Sequence, residues 1–299
     1  LHYPLRRQRQ MCIRDRSYSN IGALIYKHLI EIINESYPLG VDDFLGPTHV
    51  NSESIDKKYN VTDLNIEDKA DNSPVTVADR LAETVIREII NEKYPSHDIL
   101  GEEHGFQNTG SRWKWVIDPI DGTRSFVSGM PIFGTLISLL ENDVPHLGII
   151  DIPILHERWF SATGEECYFY PSNSDKKKVV CKVSGKEKIG QAILYSTDPK
   201  MFNISQKSLY DRVSSQVKLA RFGGDCYSYG LLASGYIDLV IEADMKIYDL
   251  MALVPVIESA GGIISDWKGD TKFDSNWDGS VVAAASENLH SQTLRLLKE

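Results

Sequence analysis

The chain predicts a layered α/β (α+β) fold. Two observations carry that expectation. From residue 189 onward, short apolar runs alternate with helical patterns, as the layers of an α/β fold do. Between Ile99 and Thr163, short strand-like runs follow one another with Gly, Pro, Asn and Asp between them, as meandering antiparallel strands do.

Residues 20–36 read as a helix, with Ile21, Leu24, Ile25, Leu29, Ile32 and Ile33 on an apolar stripe and Asn20 as its N-cap. Residues 37–72 are polar and punctuated by Pro38, Gly40, Gly46 and Pro47, which predicts a flap or one more short helix near 52–58. A helix is expected over 77–93. Leu81, Val85 and Ile89 mark its face, Ile86 and Ile90 lie beside them, and Pro95 follows its end. Strands are expected at Ile99–Leu100, Trp115–Ile117, Thr135–Leu140, Leu147–Ile150 and Arg158–Thr163. The charge-rich stretch Ser174–Lys188 reads as a surface hinge.

The second half then alternates. Strands are expected at Ala192–Ser196, Val217–Arg221, Ile237–Glu242, Ile263–Ser265 and Val281–Ala285. Helices are expected at Ile204–Val213, Tyr227–Ser234 and Asp249–Ala260, the last closed by Gly261, with one more at the C-terminal end. The expected division is therefore 1–16 as a non-native or unstructured head, 17–173 as an N-terminal α+β half with an antiparallel sheet and a metal site, 174–188 as the hinge, and 189–299 as a C-terminal α/β half.

Composition narrows the function classes. A chain of 299 residues can bury a sizeable core as one large or two smaller domains. It has no run of ~18 apolar residues, so no transmembrane helix is expected. The formal net charge is −10. Residues 1–16 hold five arginines and one aspartate, a local +4, so the remainder carries −14. An acidic body disfavours nucleic acid and anionic membrane as partners, because phosphates call for clustered Lys and Arg. The head lacks the apolar core of a secretory signal. None of the four cysteines has CxxC spacing, which predicts free thiols and a reducing, cytoplasmic setting.

The chemistry concentrates in acidic segments. Trp115-Val116-Ile117-Asp118-Pro119-Ile120-Asp121-Gly122-Thr123 places one carboxylate at a strand end and a second one just past a proline-fixed turn. Two such carboxylates, with the Ile120 carbonyl between them, make an all-oxygen site suited to Mg²⁺. Gly122 and Thr123 then offer backbone N–H groups at an expected helix start, an arrangement suited to phosphate. Taken alone, acids in a D-x-x-D-G turn are equally turn formers.

The wider pattern decides between these readings. Gly101-Glu102-Glu103, the Trp115–Thr123 segment, Tyr248-Asp249 and Ala260-Gly261-Gly262 occur in an order that resembles the inositol monophosphatase family, over roughly residues 72–285. Several features resemble its histidinol-phosphate phosphatase branch. They are Asp68–Thr76, Gly101-Glu102-Glu103-His104-Gly105, Arg124–Gly129, Gly223–Tyr227 and Glu242–Asp249. The resemblance implies an αβαβα sandwich like that of the inositol monophosphatases and fructose-1,6-bisphosphatases, and a homodimer. It implies two to three Mg²⁺ ions. Glu102, Asp118 and the Ile120 carbonyl would hold one, Asp118, Asp121 and Asp249 a second, and Glu102 would share a third. Gly122 and Thr123, with Asp121 and Asp249 beside them, would bind the phosphate end. Asp79 and Thr123 would orient the attacking water, and Glu102 would act with them in catalysis.

Blander roles compete at several positions. Thr76-x-x-Asp79 reads as a capping box, and Asp249 as an N-cap. Glu103 is expected to be solvated or supporting, His104 to be a hydrogen-bond partner, and Cys226 to be a small buried residue. Trp113, Trp115, Tyr227 and Tyr229 are expected in the core.

The alcohol half of the substrate is the less legible part. Gly224, Asp225, Cys226 and Glu242 fall in the family's substrate region, and an added carboxylate at Asp225 favours a cationic alcohol over a neutral polyol. The expectation is thus a Mg²⁺-dependent phosphatase acting on L-histidinol phosphate, in histidine biosynthesis. Its alternatives are an inositol-1-phosphatase, a 3′-nucleotide bisphosphate phosphatase, or an interaction role in a transcription complex. Lys246 is expected to bind phosphate, to pair with Asp244 or to be a plain loop charge. Arg124 is left without an assigned role, with a phosphate clamp as one option.

Overall fold

The computed structural model describes residues 67–68, 74–75, 77–171 and 178–298. The expected helix at 20–36, the stretch at 37–66 and Thr76 lie outside the described residues, as does the head. The chain divides into two compact units at Ser111/Arg112.

In the first unit, strands β1 (Glu67–Asp68) and β2 (Pro74–Val75) pair antiparallel. Helix α1 follows at Val77–Lys93, matching the expected span. Its deepest apolar residues are Ala82, Ile86 and Ile90. Val85 and Ile89 are only half-buried, so the buried stripe is rotated relative to the expected one. Two acids, Asp79 and Glu83, are also buried on α1. Strands β3 (Asp98–Gly101) and β4 (Gly105–Gln107) form a hairpin in which Gly101 faces Gly105. Asp98 at its base is buried and accepts from the Thr109 N–H at 2.7 Å and the Ser111 N–H at 3.2 Å.

The second unit begins with an antiparallel meander. Its strands are β5 (Trp113–Asp121), β6 (Gly134–Glu141), β7 (Val144–Ile152), β8 (Glu157–Ala162), β9 (Tyr168–Tyr170) and β10 (Val179–Val180), each paired with the next. The last two were not expected from sequence. They are short, and β9 is aromatic throughout, with no alternation. Within the stretch read as a hinge, the described part holds β10 and the buried Cys181 and Val183, and the Val183 N–H donates to the Ala260 carbonyl at 3.0 Å. Helix α2 (Thr123–Ser128) follows β5.

The second sheet holds β11 (Ile193–Ser196), β12 (Leu219–Phe222), β13 (Leu239–Glu242), β14 (Ile263–Ser265) and β15 (Val281–Ala284), in the order β12-β11-β13-β15-β14. The first three are mutually parallel and the β15 pairings are antiparallel. Helices α3 (Ile204–Ser214), α4 (Asp225–Ala233), α5 (Ile247–Leu250), α6 (Leu253–Ser259) and α7 (Glu287–Leu297) complete the unit. The expected long helix at 249–260 is thus two helices, broken around Met251–Ala252. Helices α4 and α6 touch strands of both sheets, and α3 and α7 pack on each other. The second sheet's core is built from Leu194, Leu239, Ile241, Val282 and Ala284 with Tyr210, Val213 and Leu289 of those outer helices. These layers of sheet and helix fit the sandwich expected from sequence. No helix among the described residues is long and apolar enough to cross a membrane.

Candidate active site

Strand β5 carries its site residues at its carboxyl end because the ladder breaks there. The pairing runs regularly to Asp118↔Leu136 and resumes at Asp121↔Gly134. Three steps on β5 therefore match two on β6, which is a bulge, and bulges re-aim side chains. The Thr135 hydroxyl pins the irregular stretch by donating to the Pro119 carbonyl at 2.8 Å. Asp118 is buried and its Oδ1 accepts from the Ile120 N–H at 3.1 Å. The Ile120 carbonyl accepts from the Thr123 hydroxyl at 3.2 Å. Gly122 has φ 82°, a left-handed conformation that starts α2 directly after the acids.

Asp249 comes from the other end of the chain. It is the third residue of α5, not its N-cap, and its Oδ2 accepts from the Lys246 N–H at 2.7 Å. Carboxylate oxygens of Asp118, Asp121 and Asp249 lie within 4.8 Å of one another. Three acids this close, with oxygen as the only donor type, suit a hard divalent cation. Electrostatics supports the fit. Burial pushes Asp121 well above the usual carboxylate range, and the charges of Asp225 and Asp249 push it further, against the Cys226 hydrogen bond. Such a site is short of positive charge.

A cavity of about 220 Å³ opens beside these acids. Its lining includes Asp121, Asp225, Glu242, Asp244 and Asp249, against two cations, Arg124 and Lys200. Asp225 opens α4 at φ 44° and accepts from the Ser125 hydroxyl at 2.5 Å. Burial raises its proton affinity, with the Ser125 bond and the Arg124 charge acting the other way. Glu242 ends β13 almost fully buried. It accepts from the Thr197 hydroxyl at 2.5 Å, the Thr197 N–H at 3.1 Å and the Tyr229 hydroxyl at 2.8 Å. Burial raises it too, opposed by those same donors. Glu242 is therefore already held on several sides.

The remaining expectations resolve individually. Cys226 is buried, and its thiol is pushed up by burial and by the Asp121 charge, so it is a poor nucleophile. Cys167, Cys181 and Cys226 are free and buried. Arg124 pairs with Asp198 at 2.9 Å, and Lys246 with Asp244 at 2.7 Å. Trp115 is core, while Tyr229 is a buried residue that also faces the cavity. Thr197, Asp198 and Tyr229 are site neighbours that the sequence reading missed. The signal for Thr197 was present, since it follows the carboxyl end of a parallel strand, where α/β sheets place ligands.

In the first unit, Glu102 is half-buried in the β3–β4 turn. His104 there is an anchor, its Nε2 lying 3.0 Å from the Arg80 carbonyl. A carbonyl only accepts, so this nitrogen carries the proton.

The sequence profile described as "Inositol monophosphatase family" matches residues 49–299. The chain belongs to the inositol monophosphatase family. In reaction class it is a phosphoric monoester hydrolase. It is 44% identical over 258 residues to "Bifunctional phosphatase IMPL2, chloroplastic" of Arabidopsis thaliana, covering 83% of this chain and 72% of that one. It is 32% identical over 241 residues to a histidinol-phosphatase of Mycobacterium tuberculosis, covering 80% of this chain and 90% of the relative. Among solved structures it resembles an inositol monophosphatase from Zymomonas mobilis, with TM-score 0.68 and 34% identity over 91% of this chain and 98% of that one.

Proposed function

We propose that the chain hydrolyses L-histidinol phosphate to L-histidinol and phosphate, using Mg²⁺ held by Asp118, Asp121, Asp249 and the Ile120 carbonyl. Glu102 joins this set on the strength of the family motif. The observation that carries the reading is the convergence of Asp118, Asp121 and Asp249 beside a cavity lined by further acids. Bound Mg²⁺ supplies a water acidic enough to ionise near neutral pH and a positive centre for the departing oxygen. Phosphate monoesters are among the slowest substrates to hydrolyse unaided, which is why one general acid does not suffice. Gly122 and Thr123 hold the phosphate end, and Asp79 and Thr123 orient the water. Gly224, Asp225, Cys226 and Glu242 shape the pocket for the alcohol.

The substrate is argued from charge. Histidinol carries an ammonium group, and Asp225 and Glu242 add two carboxylates to the wall of the cavity that Asp121 and Asp249 also line. The relative from Mycobacterium tuberculosis is named a histidinol-phosphatase, which supports the same choice. A homodimer, a cytoplasmic setting and the absence of nucleic-acid or membrane partners belong to this proposal; the Arabidopsis relative is named chloroplastic.

The deciding experiment is phosphate release from histidinol phosphate, inositol 1-phosphate and adenosine 3′,5′-bisphosphate, with and without Mg²⁺. Histidinol phosphate is expected to give the highest kcat/KM, and only with Mg²⁺. A ten-fold preference for inositol 1-phosphate, about 1.4 kcal/mol in transition-state binding, overturns the substrate assignment. No release from any ester favours an interaction role.

A further inference from the structure

Glu83 is a buried acid that none of the motifs above accounts for. It lies on α1, one helical turn after Asp79, and its side chain is fully enclosed. A carboxylate in that position costs much free energy unless its oxygens are satisfied. They are satisfied by one turn of chain. Glu83 Oε2 accepts from the Glu103 N–H at 2.7 Å, and Oε1 accepts from the His104 N–H at 3.2 Å. Arg87, one turn further along α1, donates through Nε to Oε1 at 2.7 Å and through Nη2 to the Gly105 carbonyl. His104 adds its bond to the Arg80 carbonyl.

The residues so held are the whole connection between β3 and β4. With Gly101 facing Gly105, that connection is Glu102, Glu103 and His104. The Glu103 N–H belongs to the peptide that joins Glu102 to Glu103. Fixing it fixes the backbone on the carboxyl side of Glu102. Gly101 fixes the other side: a Cβ there would sit 2.0 Å from Glu83 Oε1, so only glycine lets the strand come this close. The glycine of Gly101-Glu102-Glu103 and the backbone path through Glu102 thus have one shared cause, a carboxylate on α1 onto which the turn is wrapped.

We infer that Glu83 is a positioning residue for the metal site, touching no ion itself but fixing the turn that presents Glu102. The inference rests on the metal role proposed for Glu102. Groups that orient metal ligands commonly change affinity by ~10–100-fold when removed. A buried carboxylate that only stabilised the fold would leave metal affinity alone.

The test is Mg²⁺ titration of the full chain by calorimetry without substrate, alongside the Mg²⁺ dependence of kcat. Glu83→Gln keeps the shape but replaces one acceptor oxygen with an NH₂ group, which faces a donor of the turn or of Arg87. Expected are Mg²⁺ binding weaker by about ten-fold or more and recovery of kcat when Mg²⁺ is raised in proportion. A folded variant with wild-type Mg²⁺ affinity overturns the inference. If Glu83→Gln does not fold, Arg87→Gln is measured the same way, with a several-fold loss expected and an unchanged affinity again overturning it. A wild-type chain that binds Mg²⁺ yet cleaves no phosphomonoester sinks the proposed substrate and leaves the Glu83 comparison standing.

Discussion

The Cys226 N–H donates to Asp121 Oδ2 at 2.7 Å, across 105 residues of sequence. This bond ties the first turn of α4 to the acid-bearing end of β5. Gly122 sits inside the same junction, where a Cβ would lie 2.7 Å from the Asp225 carboxylate. Gly122→Ala therefore meets a left-handed φ and a clash together. The left-handed conformation alone costs ~1–2 kcal/mol, so destabilisation of about 1–3 kcal/mol is expected. Thermal unfolding measures it. The displaced Asp225 should also lower kcat/KM, and a variant with wild-type Tm and activity would show that the junction is not tight.

Asp118→Asn removes one charge from three convergent carboxylates and leaves an acceptor for the Ile120 N–H. The fold should survive, because less like charge is confined there. Turnover should vanish, because the site loses an anionic oxygen ligand. Circular dichroism and phosphate release on one sample separate the two effects. Near-full activity in a folded variant removes the metal assignment.

The sequence exposed the chemistry more readily than the supports. Asp118, Asp121 and Asp249 were legible because short motifs place them at element ends, and the structure brings them within 4.8 Å. The bulge after Asp118 was not legible, since Pro119 reads equally as a turn former. Glu83 is not legible, because helical periodicity marks apolar faces and a buried acid looks like a solvent residue. Helix α6 was merged with α5 because Met251 and Ala252 are good helix formers. The ladder breaks there because Pro255 has no N–H to donate to the Met251 carbonyl, which accepts from the Ser138 hydroxyl at 3.0 Å; beside it the Ala252 carbonyl would lie 2.1 Å from a Cβ at Gly148, so β7 meets the chain at its backbone.

Asp225→Asn tests how the pocket reads the alcohol. The amide keeps an acceptor for the Ser125 hydroxyl and loses the charge. If Asp225 attracts an ammonium group, kcat/KM for histidinol phosphate should fall by ten-fold or more, ~1.4 kcal/mol, with a much smaller change for inositol 1-phosphate. Equal losses on both esters would assign Asp225 to holding Gly122 and Ser125, with no part in selectivity.

His290 sets an acid limit on stability. It is buried on α7, with Nε2 2.7 Å from the Ser265 hydroxyl. That hydroxyl donates its own proton to the Asp266 carbonyl at 2.7 Å, so the imidazole must be the donor in this pair. Burial lowers the His290 pKa from its usual value of 6.5, with Glu287 opposing weakly. The folded state thus holds the neutral ring while the unfolded chain takes up a proton more readily. The sign follows: this contribution is intact above about pH 6.5 and is lost as the pH falls towards the lowered folded value. Wild-type Tm should therefore drop from pH 7 to pH 5. His290→Gln can still donate to Ser265 but has nothing to protonate. It should be less stable than wild type at pH 7, and its deficit should shrink as the pH falls. A constant difference in Tm across that range would show that His290 does not titrate with unfolding.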